Sequence, residues 1–210
     1  MAFDGALFEA RGINAWRGDR HILRDVSFSV RKGEFLKITG PNGVGKTTLL
    51  RVICGLLPAE TGDIYWRGKS VRSHRDEFNL ELGYLGHLNS LKADLTAREN
   101  LKFLAGLRQS LTARDIDATL DRVGILSRGD LPARSLSAGQ KRRLSLARLL
   151  LADAALWILD EPVTNLDTAG IELVESLIVD HVGRGGLAIA AAHQRLLDDA
   201  PCLRRLELEP

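Results

Sequence analysis

Nine residues, Gly40-Pro41-Asn42-Gly43-Val44-Gly45-Lys46-Thr47-Thr48, match the spacing G-x-x-x-x-G-K-[ST]. They follow the apolar stretch Phe35-Leu36-Lys37-Ile38-Thr39 and open a helical pattern, the setting in which that spacing cradles phosphate. Glycines let the backbone wrap closely, and successive N–H groups with the positive helix end then face an anion. In that geometry Lys46 reaches the β- and γ-phosphates, Thr47 ligates Mg²⁺ and Thr48 binds phosphate. A second run, Leu156-Trp157-Ile158-Leu159-Asp160-Glu161-Pro162, is an apolar strand tipped by two acids. Such a strand delivers Asp160 to a sheet edge, where it can hold the hydration shell of Mg²⁺. Glu161 then reaches water beyond the γ-phosphate as a general base. Alone, the acid pair reads equally as a helix cap; beside the phosphate loop, the chemical reading wins.

Positioning these groups needs a sheet. Strand-like runs lie at Leu7–Ile13, Ile22–Val30, Phe35–Thr39, Gly62–Trp66, Leu82–Leu85, Leu156–Asp160, Leu187–Ala192 and Leu203–Leu208. Leu156–Leu159 and Leu187–Ala192 are continuously apolar, as in parallel strands covered on both faces. The early strands are antiparallel in style, with Val26, Phe28 and Val30 on one side and a turn at Arg17-Gly18-Asp19. Helical patterns occupy Thr47–Leu57, Ala97–Ser110, Arg114–Val123, Ala138–Ala152 and Ala169–Gly183. Thr112-Ala113-Arg114-Asp115 predicts a capping box. The block Asn89–Arg134 is nearly all helical and interrupts the strand–helix alternation. One α/β domain over 1–210 is expected, with an inserted helical subdomain at about 89–150.

Composition narrows the partners. A net charge of +2 is too small to argue for nucleic acid. No apolar stretch approaches the ~20 residues of a spanning helix. Met1–Ala6 lack a basic region followed by an apolar core, so no secretory signal is expected and membrane association must come through a partner. Cys54 and Cys202 are far apart and in no metal-like spacing, and Cys54 reads as a small core residue.

A third motif, Leu136-Ser137-Ala138-Gly139-Gln140, completes a resemblance. With Gly40–Thr48, Leu156–Glu161, Asn165-Leu166-Asp167 and His193, it makes the chain similar over nearly its whole length to ATP-binding subunits of ABC transporters. The resemblance implies the ABC-type P-loop fold: a mixed core sheet, N-terminal antiparallel strands and an inserted helical subdomain. It implies ATP and Mg²⁺ as ligands, and a head-to-tail dimer of two copies sandwiching two ATP molecules. Ser137 and Gly139 of one copy, within Leu136–Gln140, would contact the γ-phosphate held by Lys46 of the other. Asp167 lies in the loop flanking that site. His193 would touch the same phosphate and sense its presence. Trp16 stands where an aromatic residue usually stacks on adenine; core packing is the competing reading.

Two departures stand out. Ala138 replaces the common glycine of the signature. In Leu82-Gly83-Tyr84-Leu85-Gly86-His87, histidine stands where the family has a glutamine that helps ligate Mg²⁺ and links the site to the membrane subunit. Mg²⁺ prefers oxygen, so His87 is expected to act through water or hydrogen bonds; alternatively His87 is a loop residue and Asn89 takes the role. The spelling of the segments Tyr84–His87, Leu95–Leu101, Leu136–Arg143 and Leu156–Pro162 resembles the ATPases of the bacterial cytochrome c maturation system. That implies inner-membrane partners of that system, a peripheral place on the cytoplasmic face of the inner membrane, and hydrolysis coupled to haem delivery or release of a haem-loaded chaperone. The alternatives are an ABC ATPase for another cargo or a soluble ABC ATPase. The chain has neither the duplicated cassette nor the long coiled-coil insertion common in soluble members. A P-loop kinase leaves Leu136–Gln140 and His193 unexplained.

Overall fold

Two kinds of strand patterning sort the chain into two sheets. The computed structural model describes residues 6–105 and 110–209. In chain order the strands are β1 (Ala6–Arg17), β2 (Arg20–Arg31), β3 (Phe35–Thr39), β4 (Thr61–Trp66), β5 (Lys69–Ser70), β6 (Leu82–Leu85), β7 (Leu156–Asp160), β8 (Leu187–Ala191) and β9 (Leu203–Glu207). The helices are α1 (Lys46–Ile53), α2 (Arg75–Glu81), α3 (Ala97–Ala105), α4 (Ala113–Arg122), α5 (Ala138–Leu151) and α6 (Thr168–Gly183). Four strands form an antiparallel sheet in the order β2-β1-β4-β5, and five form a parallel sheet in the order β6-β7-β8-β3-β9. The parallel and antiparallel strands thus form separate sheets.

The inner strands β7 and β8 are buried on both faces, which is why they read as apolar runs, whereas the edge strand β9 is partly exposed and carries Arg204 and Arg205. On β7, Leu156 and Ile158 face one core while Trp157 and Leu159 face the other; β8 divides its residues the same way. One core packs α1 and the antiparallel sheet against this surface, with Phe28 and Val30 inside it and Val26 half-buried against it. The opposite core holds α3, α4, α5 and α6. The helical block falls between β6 and β7, and α5 packs on α3, α4 and β6.

Local signals are honoured. Thr112 caps α4 in a reciprocal box with Asp115. Cys54 is buried in the core, and burial pushes its thiol pKa up. The helix expected at Ala97–Ser110 is seen as far as Ala105, and 106–109 lie outside the described residues. Two elements, β5 and α2, carry no strong periodicity. The short helix α2 is held by one buried side chain, Phe78, packed edge-on to Trp66.

Candidate active site

Strands β7, β8 and β3 are neighbours and run parallel, so the segments leaving them emerge at one edge. The phosphate loop follows β3, Asp160-Glu161 ends β7 and His193 follows β8. Sequence-distant groups therefore converge at the carboxyl ends of the strands, where open α/β sheets bind ligands.

Glycine is required within the loop itself. Gly40 has φ +137° and Gly45, the N-cap of α1, has φ +117°. A Cβ on Gly40 would stand 2.5 Å from the Leu208 carbonyl, and one on Gly45 would stand 2.6 Å from Ile22 Cγ2. Pro41, Asn42 and Gly43 are exposed, whereas Val44 is buried beneath them. Lys46 is 5% exposed, and its Nζ donates to the carbonyls of Gly40 (2.8 Å) and Pro41 (2.9 Å), closing the loop. Burial lowers its pKa, opposed by the carboxylates of Glu161 and Asp160. Thr47 and Thr48 lie in the first turn of α1.

Asp160 meets Thr47 directly: Thr47 Oγ1 donates to Asp160 Oδ1 at 3.0 Å. Asp160 is 1% exposed, and its Oδ2 is buried with no hydrogen-bond partner among the described residues. An orphaned buried carboxylate oxygen costs about 1–3 kcal/mol or more. A hard cation or its water beside Thr47 would satisfy it, so this donor set fits Mg²⁺. Glu161 takes φ +50°, unusual for a residue with a side chain. Its N–H donates to the Ala191 carbonyl at 2.9 Å. Its Oε1 lies 3.3 Å from Nε2 of His193, joining the expected base to the expected sensor.

The signature forms the start of α5. Ser137 is the N-cap: its hydroxyl accepts from the Gln140 N–H, and the Gln140 side chain accepts from the Ser137 N–H. Ala138 and Gly139 fill the first turn, leaving free N–H groups at a positive helix end. A Cβ on Gly139 would approach the Asn165 carbonyl at 3.0 Å, so the signature abuts the loop that carries Asp167. Asp167 in turn caps α6 by accepting from Gly170 N at 2.9 Å. No hydrogen bond or ion pair joins Ser137–Gln140 to the phosphate loop among the described residues.

Trp16 is 50% exposed, which removes the core-packing reading. It stacks on His21 with centroids 4.5 Å apart and 3° between planes. The pair walls a cavity of about 480 Å³ shared with Pro41, Asn42, Gly43 and Val44. His87 is exposed beyond β6, and its side chain makes no hydrogen bond or ion pair among the described residues. Asn89 is half-buried and accepts from Arg142 at 3.4 Å.

Arg142 is the functional candidate that sequence reasoning missed. It is 3% exposed and donates to the carbonyls of Asp160 and Glu161. The basic run Lys141-Arg142-Arg143 was its only signal, and such runs normally read as solvated surface.

A parallel sheet carrying a phosphate loop after β3, with the acid-tipped strand β7 two positions away across β8, defines a P-loop ATPase. Residues 23–164 match the ABC transporter family, and the chain belongs to that family of ATP-binding, ATP-hydrolysing proteins. It is 42% identical over 202 residues to the cytochrome c biogenesis ATP-binding export protein CcmA of Aliivibrio fischeri, covering 96% of this chain and 99% of that protein. It is 45% identical over 194 residues to CcmA 2 of Cupriavidus metallidurans, covering 91% of each. Among solved structures, an ABC transporter ATP-binding protein from Pyrococcus furiosus superimposes with a TM-score of 0.83 at 26% identity, covering 96% of each chain.

Proposed function

We propose that this chain is the ATP-hydrolysing subunit of a membrane complex for c-type cytochrome biogenesis. In this reading ATP turnover is coupled to haem delivery or to release of a haem-loaded chaperone. Its similarity to CcmA proteins along nearly their full length supports that cargo system. No helix among the described residues is long and apolar enough to cross a membrane. In this reading the subunit acts as a peripheral partner of inner-membrane subunits, on the cytoplasmic face, as its similarity to CcmA export proteins supports.

One observation carries the catalytic reading: Thr47, Asp160, Glu161 and His193, drawn from three distant segments, meet beside a closed phosphate loop. Gly40–Thr48 bind the phosphates, with Lys46 turning from its own loop carbonyls to the anion. Trp16 supplies a π-face for adenine. Thr47 and the orphaned oxygen of Asp160 would hold Mg²⁺, which supplies charge neutralisation on the phosphates. Glu161 takes a proton from the attacking water, and His193 orients Glu161 and senses the γ-phosphate. His87 sits where coupling to the membrane subunit is expected. Ser137, Ala138, Gly139 and Gln140 of a second copy would close the site, as the family resemblance implies; the positive N-terminal end of α5 suits an anion, and among the described residues it makes no bond to its own phosphate loop.

Glu161→Gln tests the base. Turnover is expected to fall by about 10²–10⁴, the usual worth of a positioned base, with ATP binding retained and ATP-bound dimers accumulating. Near-normal steady-state ATPase would remove Glu161 from that role.

A further inference from the structure

We propose that Arg142 is a positioning residue for the hydrolytic step, fixing the backbone of Glu161 and tying it to the segment after β6. The inference rests on the reading of Glu161 as the base.

An arginine side chain has five N–H donors in a rigid planar fork. All five of Arg142 are used. Nε donates to the Pro162 carbonyl at 3.1 Å. Nη2 donates to the carbonyls of Asp160 at 2.8 Å and Glu161 at 2.7 Å. Nη1 donates to the Gly86 carbonyl at 2.8 Å and to Asn89 Oδ1 at 3.4 Å. Every acceptor is neutral, and four of them are backbone. A buried ion pair would take a carboxylate; this guanidinium instead clasps three consecutive peptide units and a neighbouring loop. Burial lowers its pKa to about 10, opposed by the nearby Asp160 and Glu161 carboxylates, so it stays cationic at neutral pH.

The peptide units held are the ones that aim the base. Glu161 adopts φ +50°, a conformation that persists only where its surroundings over-determine it. Its N–H is fixed by the Ala191 carbonyl, while its own carbonyl accepts from Arg142 and from the Thr164 N–H. Ala191 of β8 holds the N–H side of Glu161 from outside the loop, and Arg142 of α5 holds its carbonyl side. The same helix face continues this attachment: Ser145 Oγ donates to the Asn89 carbonyl at 3.1 Å, and Arg148 Nη2 donates to the Tyr84 carbonyl at 3.2 Å. Residues 142, 145 and 148 recur at about one helical turn, so α5 is laced along 84–89. Its first residues form the signature. A displacement of α5, or of the loop at 86–89, thus moves the carbonyls that orient Glu161.

The test uses the full-length chain. Arg142→Lys keeps the charge but offers one point of donors where a fork spans five acceptors. Misplacing a catalytic group by about 1 Å costs on the order of 10²-fold. We expect kcat to fall about 10- to 100-fold, with ATP Kd changed less than about threefold. In a Glu161→Gln background the same change should lower single-turnover hydrolysis less than about threefold, because no base remains to be aimed. Arg142→Gln, which retains two donors and leaves no buried charge, replaces the lysine variant if that one does not fold. Wild-type kcat in the variant, with Glu161→Gln crippled, overturns the inference alone. Parallel loss of binding, melting temperature and kcat, or full additivity with Glu161→Gln, also overturns it. Near-normal turnover of Glu161→Gln itself overturns the base assignment and this inference with it.

Discussion

Lys37 lies on β3, the strand that feeds the phosphate loop, with a side chain only 5% exposed. Its Nζ donates to Asp198 Oδ1 at 2.6 Å, in the segment after His193. The pair clamps the strand that feeds the phosphate loop to the stretch that follows His193. Asp198→Asn removes the counter-charge and leaves a buried ammonium facing an amide. Breaking a fully buried pair from one side costs about 3–5 kcal/mol. Asp198 is 29% exposed, so solvent recovers part of that, and the expected loss is about 2–3 kcal/mol. For a chain of this size that is roughly 4–12 °C in melting temperature. Lys37→Met swaps the buried cation for an apolar side chain of similar length and should cost less than about 1 kcal/mol. The double variant should resemble Lys37→Met. Hydrogen bonding and charge from Lys37, aided by Arg205, hold Asp198 below its usual pKa. A depressed acid contributes stability above its unfolded pKa of about 3.9, lost as pH falls through the lower folded value. Urea unfolding at neutral pH and at pH values descending below 4 measures both effects. A neutral Asp198→Asn, or a Lys37→Met that loses as much, refutes the reasoning.

Three further outcomes follow from the site. Trp16→Ala removes the exposed π-face and should weaken ATP binding by about 1–3 kcal/mol, or roughly 5- to 150-fold in Kd, with little change in melting temperature; unchanged affinity would dismiss the stack. Gly45→Ala places a Cβ 2.6 Å from Ile22 Cγ2 at φ +117°, so nucleotide titration should show no binding at millimolar ATP. His87→Ala should lower partner-stimulated hydrolysis more than ATP affinity, and His87→Gln should retain it; the reverse order with Asn89→Ala would move that role to Asn89.

Much of this was legible because chemistry at strand ends leaves strong marks. Asp160 and the loop Gly40–Thr48 follow apolar strands, and each of those segments forms as expected. Ser137 and Gln140 were legible as a motif, while their reciprocal cap on α5 emerged only with the helix in place. The element α2 was hidden because its anchoring is tertiary: Phe78 against Trp66. Arg142 was hidden for a related reason. Burial of a guanidinium depends on carbonyls from two distant segments, and no local pattern announces them. His87 illustrates the opposite case: its position was evident, but its exposed side chain gains no hydrogen-bond or ion-pair partner among the described residues.

The central claim is that two copies build each site, and one measurement addresses it most directly. Lys46→Ala chains are mixed with Ser137→Arg chains, and trapped nucleotide is counted in the purified heterodimers. One site then carries both lesions and the other neither. The account predicts that the heterodimer occludes nucleotide at one site, while each parental homodimer occludes none. No occlusion in the heterodimer, under conditions where wild type occludes, would contradict it.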